Sequence, residues 1–224
     1  GGNPGGGATG RWDPSGDYLA VIESIGDGDR VSVESDGRRQ EYTVALKHYE
    51  LQNLALNPAP QRIKKSSFQH KSKVENAFDG NATGFSGSGW QTDGSQSSAP
   101  GKSTFWLALD LGGESRIDAF GVAWGPSVGQ LKKRLRDGTY RIAYTNDPAK
   151  WEALSDASAP GRNGLKGYAA PAGWDEVYAQ DVEELPDANG NKVFIRSLDE
   201  PLTARYVMVT GEQADGSIEI YNFF

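Results

Sequence analysis

Cysteine is absent from the 224 residues, which removes disulfides, thiol nucleophiles and Cys-bound metals from the options. The compartment stays open on that ground, because a domain of this size does not need covalent staples. Histidine is nearly absent too: His48 and His70 stand alone, and no HExxH or similar spacing exists. A zinc site would have to be completed by several carboxylates, so zinc is not expected. No run of about eighteen apolar residues occurs, and no charged-then-apolar stretch opens the chain, so neither a membrane span nor an intact signal peptide is expected. A broad basic face is missing as well. With a net charge of −7 the chain is not a general binder of nucleic acid, which needs such a face for phosphates.

What is present is turn chemistry and short apolar runs. Twenty-nine Gly, eleven Pro and 10% aromatic residues, with few helical signals, favour an antiparallel β protein. The length suits one sizeable β-sandwich, with or without a small accessory piece, rather than two large domains. Residues 1–10 are dominated by Gly and read as a flexible linker outside the fold. Residues 11–52 form a β-strand or hairpin extension: YLAVIESI is followed by RVSVESDGRRQEYTVAL, whose alternation is broken by Asp36-Gly37. That extension either packs on the main domain or is the tail of a preceding one.

From Asn53 the texture changes, and the main domain is read as 53–224. Strands are expected at 104–111, 116–124, 139–145, 176–182, 192–198, 204–211 and 217–223, most of them alternating apolar with polar residues. That spacing, with turns between, is what a sandwich or jelly roll requires.

Six segments then carry a resemblance: NLALN, NAFDGN, FWLALDLG, YRIAYTNDPAKW, ARYVMVTG and SIEIYNF, in that order. Together the stretch from Asn53 to Phe224 resembles the discoidin, or coagulation factor 5/8 type C, domains. The resemblance implies an all-β, antiparallel jelly-roll β-sandwich of the galactose-binding-domain-like kind, here with a short N-terminal β extension. Its bacterial members are commonly family 32 carbohydrate-binding modules joined to glycoside hydrolases or polysaccharide lyases. A secreted, extracellular setting, a polysaccharide or oligosaccharide ligand, a covalently linked catalytic domain and a monomeric state follow as expectations of that resemblance.

The resemblance also implies a structural Ca2+. Carried over by position, its oxygen ligands would be the Asn76 carbonyl, the Asp79 carboxylate, the Asn81 carbonyl, a Thr, the Ile218 carbonyl and the Glu219 carboxylate. Here the family's Thr place is taken by Gly84, with Thr83 one residue early and GFSGSG inserted before Trp90. The competing reading is a plain Asp-Gly turn at Asp79 and a strand residue at Glu219.

Aromatic rings can stack on the apolar face of a pyranose while polar neighbours bond its hydroxyls. Trp106, Trp124 and Trp151 read as core, whereas Trp90, Tyr168 and Trp174 lie in Gly/Ser/Pro-rich loops and are candidate sugar contacts, the alternative being rings that anchor loops. The densest basic run is GQLKKRLRDG, with Lys132, Lys133, Arg134 and Arg136 in the loop before YRIAYT; Arg162, Asn163 and Lys166 form a second polar loop. If both loops converge they make a shallow basic cleft suited to a uronate, a pyruvylated or a sulfated sugar. The plainer reading is a solvated charged face. Carboxylates are plentiful, but none stands in a catalytic spacing and no GxSxG is present. The chain is therefore read as a non-enzymatic accessory module binding an anionic polysaccharide. Membrane-lipid or protein binding, and a purely structural spacer, are the alternatives; the loops carry few apolar tips for lipid.

Overall fold

The computed structural model describes residues 30–35, 38–43, 52–69, 71–82, 88–93, 104–125, 128–157, 171–185, 193–214 and 216–224. The chain divides into two compact units, Gly1–Gln52 and Asn53–Phe224. In the first, strands β1 (Arg30–Ser35) and β2 (Arg38–Thr43) pair antiparallel, with Ser35 opposite Arg38. That register leaves only Asp36 and Gly37 between them, the pair that the alternation on either side singles out.

The second unit is an antiparallel β-sandwich. Its strands are β3 (Ile63–Lys65), β4 (Trp90–Gln91), β5 (Thr104–Gly125), β6 (Leu135–Thr145), β7 (Asp175–Asp181), β8 (Val193–Gln213) and β9 (Glu219–Phe223). Helix α1 (Val128–Arg134) leads into β6, and α2 (Pro148–Glu152) follows it. The expected pairs of strands at 104–111 with 116–124, and at 192–198 with 204–211, are each one long strand. β5 and β8 pair along both halves, and register shifts between Asp110 and Ser115 and between Ile117 and Ala119 turn them together around a corner. The first half of β5 and the second half of β8 lie in one layer, ordered β3-β5-β8-β6-β7. The remaining halves join β4 and β9 in the other layer, ordered β4-β9-β5-β8.

Side-chain alternation fills both faces of the first layer. Phe105, Leu107 and Leu109 point into the core between the layers, where Phe120, Val122, Trp124, Ile142, Val209, Ile220 and Phe223 meet them. Trp106 and Ala108 point outward and are covered by Trp151 and Leu154, with Tyr206 and Met208 beside them. The cover is built locally. Asp147 caps α2 by accepting the Ala149 N–H at 2.8 Å, Pro148 opens the helix, and Trp151 then stacks on Tyr206 at 5.2 Å. Trp106, Trp124 and Trp151, read as core, are buried.

The corner is tied by charge. Asp110 accepts from Arg205 Nε and Nη2 at 3.0 and 3.1 Å and from the Gly112 N–H at 2.7 Å, while Arg62 Nε donates to the Asp110 carbonyl. Gly112 sits at φ +85°, and a Cβ there would lie 3.1 Å from the Arg62 guanidinium, so only glycine fits without strain.

Candidate functional site

Both long strands start and finish at the same end of the sandwich. Thr104 opposes Glu212, Leu135 opposes Gln213, and Gly125 opposes Glu219. The connections that leave these strand ends, α1 among them, therefore gather at one end, opposite the corner.

The expected basic loop is a helix there. Leu131 is buried and anchors the helix, and the buried Leu135 opens β6 directly after it, where the charge alone suggests a loop. The four cations are placed differently from one another. Lys133 is exposed and makes no ion pair with a described residue, whereas Lys132 Nζ lies 3.3 Å from Glu183 with most of its side chain covered. Arg134 donates through Nη1 to the Ser217 carbonyl, and its own carbonyl accepts the Ala214 N–H at 2.7 Å. Arg136 Nε is 3.6 Å from Glu212, and among the described residues neither its Nε nor its Nη2 is hydrogen-bonded. Arg134 thus acts as a clamp on the 214–217 segment, and Lys133 is the cation left facing solvent.

Beneath them lies a buried polar network that composition did not disclose. Thr92 Oγ1 donates to Gln213 Oε1 at 2.8 Å and accepts the Ile218 N–H at 2.8 Å; the Thr92 N–H goes to the Ile218 carbonyl at 2.9 Å. Gln213 Nε2 donates to the carbonyls of Asp93 and Gly216. Thr92 is fully buried and Gln213 is 1% exposed, so these bonds fix the segments at this end without competing water.

Two ring candidates are placed differently from the sequence reading. Trp90 is fully buried, and its indole N–H donates to the Ser67 carbonyl at 3.0 Å. It is a core ring that anchors a loop, not a sugar-stacking face; its Gly/Ser neighbours leave room for strand pairing with Ile220, which carries it inward. Trp174 is half-buried against the outer cluster of Trp106 and Trp151, with its Nε1 enclosed and unbonded among the described residues. It precedes β7, whereas Glu183, which holds Lys132, follows that strand. Six residue steps put roughly 20 Å between them, so Trp174 and the basic helix do not share a cleft. Tyr168, Arg162, Asn163 and Lys166 lie outside the described residues.

The proposed calcium ligands come partly together. The 3₁₀ turn Val74–Phe78 and the residues after it are tied to β9 through the Gly80 N–H, which donates to Asn222 Oδ1 at 3.1 Å. Asn76 Nδ2 donates to the Ser88 carbonyl at 2.8 Å, and the next amide, Gly89, donates to Glu219 Oε1 at 3.4 Å. Glu219 is 1% exposed; Asp79 is exposed, with Oδ1 accepting the Asn81 N–H at 2.7 Å in an Asp-Gly turn. The Ile218 carbonyl already takes the Thr92 N–H and keeps a second lone pair. Thr83 and Gly84 lie outside the described residues. Gly125 brings the β5 backbone against this region: a Cβ there would lie 2.9 Å from Glu219 Cδ and 2.6 Å from the Tyr221 ring. Burial, helped by the nearby Glu219 charge, pushes the Tyr221 phenol up to about 12.

The chain is similar to chitosan-binding module 1 of a chitosanase/glucanase from Paenibacillus sp. IK-5, at 20% identity over 77% of this chain and 97% of that one, with a TM-score of 0.46. It is similar to the lectin domain of lectinolysin, whose structure holds Lewis B antigen, at 18% identity over 78% and 96% with a TM-score of 0.49. A fucose binding module of Streptococcus pneumoniae gives 16% identity over 77% and 96%, with a TM-score of 0.47. No curated protein sequence matches at a significant level. The F5/8 type C domain model matches residues 62–222, most of the chain and nearly all of the sandwich, and the chain belongs to that family.

Proposed function

We propose that the chain is a non-catalytic carbohydrate-binding module of the F5/8 type C family, and that its ligand docks on the loop-bearing end beside α1. The observation that supports this reading is the concentration of Lys132, Lys133, Arg134 and Arg136 at that end of an otherwise acidic protein, above a rigid buried network. The exposed Lys133 suits a polysaccharide carrying carboxylate, pyruvate or sulfate groups, while Arg136, paired with Glu212, supports the end from within. In the parent protein the module would hold a linked secreted glycoside hydrolase or polysaccharide lyase on its polymer, raising local concentration more than binding tightly by itself. The test is titration of the chain with an anionic oligosaccharide while its amide spectrum is followed. Perturbations should centre on 131–136 and 214–218; perturbations confined to the corner at 110–117 would place the ligand elsewhere.

We also propose a structural Ca2+ at the turn beside β9. The ligands are those that the family resemblance implies, the main-chain carbonyls of Asn76, Asn81 and Ile218, a Thr, and the carboxylates of Asp79 and Glu219; among the described residues no three His, Cys, Asp or Glu side chains converge. That all-oxygen donor set suits a hard cation, and the buried Glu219 carboxylate is the feature that a cation would neutralise. Its role would be to pin the turn to the last strand.

A further inference from the structure

Among the described residues β7 is an outer strand of one layer and the first part of β8 an outer strand of the other. Among the described residues β7 pairs only with β6, and the Val193–Ser197 stretch of β8 pairs only with β5. Between these two edges, near the corner and away from α1, lies a cleft of about 380 Å³. Tyr144, Val177 and Tyr178 line one side; Arg196 and the stretch from Leu198 to Leu202 line the other. Tyr144, Val177, Leu198 and Leu202 pack on the main core and give the cleft its apolar part, while most of its exposed lining is polar.

The charges at this cleft are unbalanced in one direction. Arg196 is committed to the wall: its guanidinium lies 4.4 Å over the Tyr178 ring, and Nη1 donates to Gln180 Oε1 at 3.3 Å. Asp199 and Glu200 are exposed and form no ion pair with a described residue. On the facing strand Asp175 is exposed, and Glu176 shares Arg141 with Asp137. A mostly polar cleft with a few apolar side chains and carboxylates at its rim matches a side chain that has an aliphatic stem and a cationic head. Arg196 Nη1 donates to the Ala179 carbonyl of β7 at 3.5 Å; the rest of that edge has no strand beside it among the described residues and can accept an extended main chain.

We propose that this cleft takes an extended, basic peptide segment of a partner protein, which adds along the open edge of β7 and places a Lys or Arg side chain against Asp199 and Glu200. A second copy of this chain is the wrong occupant, because edge-to-edge pairing would set Asp175, Glu176 and Asp181 against themselves.

The test uses the full chain and two short blocked peptides, one alternating valine with lysine and the other alternating valine with glutamate. Fluorescence anisotropy should show binding of the lysine peptide alone, weakened by salt, and about fivefold weaker binding to an Asp199→Asn/Glu200→Gln variant. Amide exchange in the complex should slow at 175–178 and 195–202. Both substituted residues are exposed, so the variant's melting temperature should match the wild type, which separates a lost contact from a lost fold. Undiminished binding by the variant, slowed exchange elsewhere, or no binding of the lysine peptide would overturn the proposal. A glucosamine oligomer that protects these amides where the peptide does not would make the cleft an amino-sugar site and overturn it equally.

Discussion

Replacing Thr92 with Val keeps the shape of a fully buried side chain and removes one hydroxyl, so the outcome reads the polar network at the loop-bearing end directly. The hydroxyl serves two partners, Gln213 Oε1 and the Ile218 N–H, each at 2.8 Å. Both would be left in a site closed to water. Each unsatisfied buried group costs about 1–3 kcal/mol, and the added methyl returns about 1 kcal/mol of apolar burial, so stranding two should cost about 1–5 kcal/mol net. For a chain of this length that corresponds to a melting temperature lower by roughly 2–20 °C. Urea unfolding followed by tryptophan fluorescence is the assay, since five of the six Trp lie in Asn53–Phe224. The midpoint should fall with the slope unchanged. Gln213→Leu should cost a comparable amount, because it strands the Asp93 and Gly216 carbonyls along with the Thr92 hydroxyl. The double variant should lose about 1–2 kcal/mol less than the two single losses combined, since the bond between the two side chains is counted in both. A Thr92→Val loss under about 0.5 kcal/mol, or strict additivity, would refute the claim that this network holds the end together.

Further outcomes follow from the same structure. Desolvation raises the Asp110 carboxyl, but the Arg205 and Gly112 hydrogen bonds and the Arg205 and Arg62 charges outweigh it and hold the group below its ordinary value. Its contribution is thus full above the unfolded carboxyl range and lost as pH falls. The stability gap between wild type and Asp110→Asn should be constant near neutrality and narrow below about pH 4; a gap that widened there would contradict the assignment. Trp90→Ala should cost about 3–5 kcal/mol in urea unfolding, as a core ring does, whereas a surface sugar platform would leave the midpoint nearly unmoved. Chelation should lower the melting temperature and added calcium restore it, with Glu219→Gln insensitive to both; identical melts with and without chelator would remove the metal from the account.

The sandwich was legible because period-2 alternation survives in β5, β6 and β8: the inward Phe105, Leu107 and Leu109 alternate with outward residues that an amphipathic cover then buries. The corner was not, because a bent strand passing from one layer to the other reads as two strands separated by a turn, and LGGES looks like a loop although pairing resumes at Ser115. The basic run was found by its charge but misread as a loop: a short helix held by one buried apolar residue, Leu131, and followed at once by β6 leaves no repeating apolar stripe in the sequence. Trp90 failed for a different reason: flanking Gly and Ser describe the backbone around a ring and say nothing of which way the ring faces. The Thr92 and Gln213 network joins residues over a hundred positions apart, and no local pattern announces it.

The central claim, that the loop-bearing end binds an anionic polysaccharide through Lys133 and its neighbours, is tested most directly by affinity electrophoresis against neutral and anionic polysaccharides at low and high salt, with Lys133→Gln alongside the wild type. The account predicts retardation on an acidic polymer that weakens with salt and is about two- to fivefold weaker in the variant. Retardation on a neutral glycan alone, indifferent to both salt and Lys133, or none on any polymer, would contradict it.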